Sequence, residues 1–105
     1  MSRQLRGVFP ALMTPLTPDG EVDDERLERL VEHFLAVGVD GFFVCGTSGQ
    51  FSTLSVDERE LIADRVIRAN RGRGAIVVHV GCPRTDDCVR LAVHAAHAGA
   101  DAVAC

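Results

Sequence analysis

Residues 75–80 form a continuous apolar run in the middle of the chain: Ala75-Ile76-Val77-Val78-His79-Val80. A run of this kind is typical of a strand in a parallel sheet, because such a strand is covered by protein on both faces. Residues 41–45 predict a second strand. Residues 8–13 and 101–105 predict two more, and Pro10 weakens the hydrogen-bond ladder of the first at one position.

Three helices are predicted between these strands. In the first, the apolar residues fall at helical spacing and form one buried stripe, which consists of Leu27, Leu30, Val31, Phe34 and Leu35. Each helix has a start and a stop signal: Asp23 and Gly38 for the first, the Ser55/Glu58 capping box and Asn70 for the second, and Thr85 and Gly99 for the third.

The resulting order βαβαβαβ predicts an α/β fold with parallel strands and helices outside. A short repeat supports regular units, since residues 38–40 (Gly-Val-Asp) and 99–101 (Gly-Ala-Asp) both link a helix end to a strand. Two architectures remain open from the pattern alone: a small doubly wound sheet, or part of a (β/α)8 barrel. A complete barrel takes about 250 residues, so this chain has room for four of its eight strands.

Composition limits the classes of function. The 105 residues match one domain, and a mean hydropathy of +0.13 argues against disorder. With a net charge of −4, the chain lacks the excess of basic residues that is typical of a nucleic-acid binder. No apolar run approaches the roughly 18 residues of a membrane span. All 11 cationic side chains are arginine, so any mechanism that needs a lysine amine is excluded within these residues.

The N-terminus and the cysteines predict a cytoplasmic protein. Arg3 and Arg6 precede a short apolar run, but Pro10 and Pro15 interrupt it and no cleavage-site pattern follows, so we expect no signal peptide. The four cysteines, which form no C-x-x-C pair, are predicted to be reduced thiols: Cys45, Cys82, Cys88 and Cys105.

The loop Gly46-Thr47-Ser48-Gly49 follows the strand at residues 41–45, at the edge of a parallel sheet where ligands bind. Its glycines let the backbone approach an anion, and its N–H groups and two hydroxyls can donate hydrogen bonds. From spacing alone, a ligand loop and a glycine turn whose hydroxyls serve the local backbone remain equally open. A phosphate-binding loop normally has a helix that begins at its glycines and a lysine nearby. Here the predicted helix begins only at Ser55 and the chain has no lysine, so a carboxylate is the favoured ligand.

The remaining polar residues predict no further site. His94 and His97 are three apart on a helix, but no third ligand completes a metal site, so no metal is expected. His79 is interpreted as a hydrogen-bonded core histidine, and Cys45 as a small buried side chain without an adjacent cation. Residues 57–68, rich in acidic residues and arginine, are interpreted as a solvated helix face.

In this order, the motifs resemble the opening of the dihydrodipicolinate synthase/N-acetylneuraminate lyase family. The matching residues are Phe9 to Pro15, Asp19-Gly20, Asp23, the loop Gly46 to Gln50, His79-Val80-Gly81, Thr85, Leu91-Ala92, His94-Ala95 and Gly99 to Ala102. The resemblance covers practically the whole chain. One departure is Gln50, where the family usually has Glu; it keeps a hydrogen-bonding oxygen and loses the charge.

The resemblance implies a (β/α)8 barrel, usually tetrameric, in which residues 1–105 supply the first three βα units and the start of strand 4 of a single domain. It implies carbon–carbon bond chemistry on pyruvate or a related 2-oxo acid through a lysine Schiff base, with no metal or organic cofactor. Thr47 would relay protons, while Ser48 and the backbone of Gly46 and Gly49 would bind the substrate carboxylate. The lysine and the family's paired tyrosines lie on later units, so this chain alone is expected to be inactive.

Two other classes of function remain as alternatives. An open four-stranded sheet that holds an anion at residues 46–49 would be a small binding module. A non-catalytic subunit would pair its open sheet edges with a partner chain.

Overall fold

The computed structural model describes residues 4–105, so Met1, Ser2 and Arg3 of the predicted domain lie outside the described residues. Over this range, three helices alternate with three strands: α1 (Asp24–Val37), β1 (Gly41–Val44), α2 (Val56–Asn70), β2 (Ala75–His79), α3 (Thr85–Ala98) and β3 (Ala102–Ala104). A 3₁₀ turn, Phe51–Thr53, lies between β1 and α2. None of the helices in this range combines the length and apolarity needed to cross a bilayer.

The strands form one parallel sheet in the sequential order β1-β2-β3. On the helical side, α2 packs between α1 and α3. Right-handed crossovers between sequential strands place successive helices on the same face, as in the wall of a barrel, whereas a doubly wound sheet reverses its strand order. The predicted α/β class is confirmed, and the strand order favours the barrel.

The predicted strand at residues 8–13 is wrong as a regular strand. This segment lies beside β1 and makes a single parallel bridge, Ala11 to Phe43. The Phe43 N–H donates to the Pro10 carbonyl at 3.0 Å, and the Leu12 N–H donates to the Phe43 carbonyl at 2.9 Å. Because Pro10 has no N–H, the ladder cannot continue past this bridge towards the N-terminus. The position of the segment was therefore predictable, but its regularity was not.

All three strands of the sheet are shorter than predicted. β1 ends at Val44 because Cys45 has a left-handed backbone, with φ of 60°, which turns the chain out of the sheet. β2 ends one residue before Val80, and β3 begins after Asp101 rather than at it. The ends of the first two strands are the points from which the functional loops start.

The glycine–x–aspartate repeat has a structural cause. Gly38 and Gly99 end their helices in the left-handed conformation, with φ of 96° and 107°, which a residue without a side chain adopts at little cost. Two residues later, the carboxylates of Asp40 and Asp101 each accept a hydrogen bond from a backbone N–H of a neighbouring extended segment, at 2.7 and 2.8 Å. The repeat thus fixes how each strand follows its helix.

The helix starts are predicted correctly in two cases of three. Asp23 caps α1, and both hydrogen bonds of the Ser55/Glu58 capping box are present at the start of α2, at 3.0 and 2.8 Å. The predicted cap Thr85 is wrong, because that residue is already helical. Arg84, with an extended backbone, occupies the cap position, and its side chain makes no capping hydrogen bond.

This difference predicts unequal effects of two matched substitutions. Ser55→Ala should lower the free energy of unfolding by about 1 kcal/mol, because it removes the acceptor for the N–H of Glu58. Thr85→Ala should change it by less than about 0.5 kcal/mol, because its hydroxyl caps nothing. Chemical denaturation of both variants measures the difference. Equal losses would contradict the assignment of the caps.

Candidate functional site

The predicted loop residues 46–49 lie together at the carboxyl end of β1. The β2–α3 connection, residues 80–84, leaves the same edge of the sheet one strand further along. In parallel α/β folds, this edge is the one that carries ligands and catalytic groups. The structure therefore brings all four predicted site residues to the edge where a site is expected.

The loop is a tight turn closed by its own backbone. The Gln50 N–H donates to the Thr47 carbonyl at 3.0 Å, and the Phe51 N–H donates to the Gly46 carbonyl at 3.3 Å. The hydroxyls of Thr47 and Ser48 are exposed and bond to no residue within 4–105. The two hydroxyls therefore do not serve the local backbone, which is what the simple glycine-turn interpretation required.

The loop also presents backbone donors. The N–H groups of Thr47, Ser48 and Gly49 have no acceptor in the described part of the chain. Consecutive free N–H groups beside two hydroxyls form a concave set of donors that suits a carboxylate. This arrangement can hold an anion through neutral groups alone.

Close packing beneath the loop requires its two glycines. A side chain at Gly46 would collide with the ring of Phe43. A Cβ at Gly49 would lie 3.0 Å from the Leu12 carbonyl oxygen, closer than side chains normally come. The buried hydroxyl of Thr14 donates to the Gly49 carbonyl at 2.7 Å and so ties the loop to the N-terminal segment. Both glycines are therefore set by the approach of neighbouring atoms.

Gln50, which departs from the family pattern, lies exposed with a left-handed backbone, φ of 64°. Main-chain hydrogen bonds close the turn on either side of it. The shape of this loop therefore does not depend on a charged side chain at position 50.

His79 holds the residue that precedes the loop. Its Nδ1 lies 3.0 Å from the carbonyl oxygen of Cys45, the residue with φ of 60°. The same nitrogen lies 3.4 Å from Nη2 of Arg59. A carbonyl only accepts and a guanidinium only donates, so in either tautomer Nδ1 hydrogen-bonds to one of these two groups. The His79 ring also packs edge-on against Phe51, with centroids 4.6 Å apart. The prediction that His79 is hydrogen-bonded is confirmed, but the residue is half-buried and lies outside the core. Its partner lies at the start of the candidate site.

Cys45 is a protonated, buried thiol. Its side chain is 1% exposed, and burial raises its pKa to about 11. The charge of Arg59 lowers this pKa by less than burial raises it. The expectation that no cation is near Cys45 is therefore wrong, although the thiol is inert as predicted.

Arg59 is the residue of this edge that the sequence interpretation missed. Expected on a solvated face of residues 57–68, it is 3% exposed. Its guanidinium donates to the carbonyls of Gly81 (2.8 Å) and His79 (2.7 Å) and lies 5.3 Å from the centre of the Phe51 ring. Arg59 thus joins α2 to the end of β2.

A signal for this burial was present in the sequence. The buried apolar residues of α2 that follow Arg59 are Ile62, Ala63 and Val66. These positions are three, four and seven residues after Arg59, which places it on the same stripe of the helix. An arginine on the apolar stripe predicts a buried guanidinium that needs acceptors.

Replacing Arg59 should destabilise the fold markedly. Arg59→Met leaves the carbonyls of His79 and Gly81 without their donor, so we expect a loss of about 2–4 kcal/mol of unfolding free energy. Arg29→Met is the matched control, because that exposed side chain makes only a 3.8 Å ion pair with Glu25; its loss should stay below about 0.5 kcal/mol. Chemical denaturation measures both unfolding free energies. If Arg59→Met lowered the unfolding free energy as little as the control does, the contacts of Arg59 would contribute nothing to stability.

Of the two histidines considered as a metal pair, His94 and His97, the first contacts the neighbouring helix. His94 Nε2 lies 3.2 Å from Asp64 Oδ1 of α2, and His97 lies in the last turn of α3. Within residues 4–105, no group of three or more His, Cys, Asp or Glu side chains is placed to hold a metal ion. None of the four cysteines, all of which lie within residues 4–105, is paired in a disulfide.

Comparisons with known proteins place this chain among related enzymes. The family model described as "Dihydrodipicolinate synthetase family" matches residues 4–105. The chain is 39% identical over 103 residues to N-acetylneuraminate lyase of Enterobacter sp. (strain 638), covering 98% of this chain and 35% of the lyase. It is 40% identical over 96 residues to 4-hydroxy-tetrahydrodipicolinate synthase of Salinibacter ruber, covering 91% of this chain and 32% of the synthase.

Solved structures agree with these matches. Dihydrodipicolinate synthase from Aquifex aeolicus superposes with a TM-score of 0.90 at 35% identity, over 94% of this chain and 33% of the synthase. A prophage protein of the dihydrodipicolinic acid synthase family from E. coli K12, solved with pyruvate, superposes with a TM-score of 0.90 at 33% identity, over 92% of this chain and 33% of that protein. The chain therefore spans about a third of the length of the relatives that it matches.

Proposed function

This chain belongs to the dihydrodipicolinate synthetase family, and we propose that it forms part of a carbon–carbon lyase or aldolase. It has the fold of the first three βα units and the start of strand 4 of a (β/α)8 barrel. The substrate we propose is pyruvate or a related 2-oxo acid, and the 105 residues are part of a single barrel domain. The observation that carries this proposal is the loop Gly46–Gly49, which presents free N–H groups and two free hydroxyls at the ligand-binding edge. The names of the relatives and the pyruvate in a related structure support it.

In this proposal, the loop receives the carboxylate of the 2-oxo acid. The Ser48 hydroxyl and the backbone N–H groups beside it donate to the carboxylate oxygens, and Gly46 and Gly49 allow the close approach. The Thr47 hydroxyl, which has no partner within residues 4–105, is available to pass a proton to or from the bound substrate.

The imine of the reaction needs a lysine that this chain does not hold. A primary amine condenses with the 2-oxo carbon and releases water, and the imine then stabilises the carbanion of the neighbouring bond. The chain has no lysine, and its arginines stay protonated. The lysine must therefore come from residues other than these 105.

A chimera tests the loop directly. In it, residues 4–105 replace the matching third of the Enterobacter lyase, and cleavage of N-acetylneuraminate is measured. Ser48→Ala should raise KM by about two- to tenfold, the worth of one hydrogen bond, with a smaller change in kcat. Ser52→Ala is the matched control, because this exposed serine lies outside the loop. Unchanged kinetics for Ser48→Ala would show that the loop is only a turn.

We also propose a homo-oligomer, a tetramer by family resemblance, working in a reducing compartment such as the cytoplasm. The four free thiols support the compartment, since exposed and half-buried cysteines persist unpaired where thiols are kept reduced. Sedimentation of the chimera measures the assembly.

A further inference from the structure

Two cysteines lie against each other beside the loop that follows β2. Cys82 belongs to the β2–α3 connection, and Cys88 lies in the first turn of α3. The Cys88 sulfur accepts a hydrogen bond from the Cys82 N–H at 3.1 Å and donates to the Cys82 carbonyl at 3.4 Å. The Cys88 sulfur therefore lies within 3.4 Å of two backbone atoms of Cys82, the residue with which it would pair.

Cys82 lines a cavity, and Cys88 lies against the backbone of Cys82. This cavity of about 480 Å³ is lined by Cys82 together with Ser55, Arg59 and Asp87, among others. Arg59 Nη1 lies 3.1 Å from the Cys82 sulfur, which favours negative charge there when the thiol ionises. Both cysteines are half-buried, so a small solute can reach them without unfolding of the chain.

Cys45 and Cys105 lack this combination of partial exposure and a hydrogen bond to another cysteine. Cys45 is 1% exposed and its pKa is raised to about 11, so it is shielded and protonated. Cys105 is exposed and makes no hydrogen bond to another described cysteine, although its Cα approaches Gly81. Within residues 4–105, only Cys82 and Cys88 combine partial exposure with hydrogen bonds between two cysteines.

We propose that Cys82 and Cys88 form a reversible disulfide, a redox modification site at the β2–α3 connection. The oxidant is a low-molecular-weight disulfide such as glutathione disulfide. The thiolate of one cysteine attacks one sulfur of this disulfide and expels one glutathione thiolate; the other cysteine then attacks the mixed disulfide and expels the second. The two protein thiols lose two electrons and two protons, and glutathione disulfide gains them as two molecules of glutathione.

Two opposing effects act on the Cys82 thiol. Burial raises the pKa of its thiol more than the charge of Arg59 lowers it. Contact with Cys88 compensates for this, because the second attack is intramolecular and needs no encounter with a further reagent. The product ties the connection to the first turn of α3 and changes one wall of the cavity.

The experiment uses the 105-residue chain in non-denaturing buffer. After incubation with glutathione disulfide, free thiols are blocked with N-ethylmaleimide and the chain is digested with trypsin. Cleavage after Arg84 separates the two cysteines into peptides 74–84 and 85–90, so only a disulfide holds these peptides together. We expect this linked pair to form roughly tenfold faster than any other cysteine pair, and to disappear on reduction.

Two variants and one condition make the result decisive. With Cys88→Ser, Cys82 should stop at the glutathione adduct or stay free, whereas Cys105→Ser should leave the 82–88 link unchanged. In concentrated guanidinium chloride, the preference for this pair should be lost. Stable glutathione adducts on both cysteines of the folded chain would overturn the proposal. So would an equal preference for the pair in denaturant, because closeness in sequence would then explain it.

Discussion

Replacing Thr47 by valine in the chimeric lyase should lower kcat by roughly 100- to 10,000-fold, while KM stays within about threefold. The hydroxyl is exposed and bonds to no residue within 4–105, so its removal breaks no contact that supports the fold. Valine keeps nearly the same volume, so the backbone donors of the loop stay in place. The loss should therefore appear in the chemical step rather than in binding or stability.

Thr85→Val is the matched control for this prediction. Thr85 lies at the same edge of the sheet, is exposed and makes no capping hydrogen bond, so its loss should leave both constants unchanged. If Thr47→Val raised KM with kcat intact, the hydroxyl would be a binding group. If neither constant moved, it would carry no proton.

The arrangement of helices and strands was predictable because its signals are local. The apolar run at residues 75–80 contains β2, and the Ser55/Glu58 pair marks the start of α2 within one residue. Capping and hydrophobic periodicity act through neighbours in sequence, so they are visible without the fold. Thr85 shows the limit of such signals, because a capping residue type can also serve as the first residue of a helix.

The position of the loop 46–49 at the edge of the sheet was also predictable, but not how the loop is held in place. Its place after a strand was sufficient to predict that it lies at the carboxyl end of β1. Cys45 has a left-handed backbone, and its carbonyl is hydrogen-bonded to His79, which lies 34 residues later. A contact between residues so far apart is not visible in any local sequence pattern. The same is true of the contact between Thr14 and Gly49.

The burial of Arg59 was not predicted, because the many charged residues around it suggested a solvated helix face. A run of acidic residues and arginine is usually solvated, yet Arg59 lies on the apolar stripe of α2 and finds its acceptors on β2 and the following loop. Those acceptors are free because the carbonyls where a parallel strand ends have no ladder partner. Only the packed sheet shows that they point towards α2.

The 105-residue chain alone should form no borohydride-stable adduct with pyruvate at any side chain. The adduct requires an unprotonated primary amine held near the substrate, and the chain has no lysine. The remaining primary amine is that of Met1, outside the described residues. By contrast, the chimera regains a lysine from the lyase and should be labelled there.

Trapping with pyruvate and borohydride, followed by peptide mass spectrometry of the chain and the chimera in parallel, tests this division of labour most directly. The account predicts a saturable adduct on one lysine of the lyase portion in the chimera, weakened at low pyruvate by Ser48→Ala, and no side-chain adduct within residues 4–105. A saturable adduct within residues 4–105 of the chain alone would contradict it, as would a chimera that cleaves its substrate without labelling any lysine.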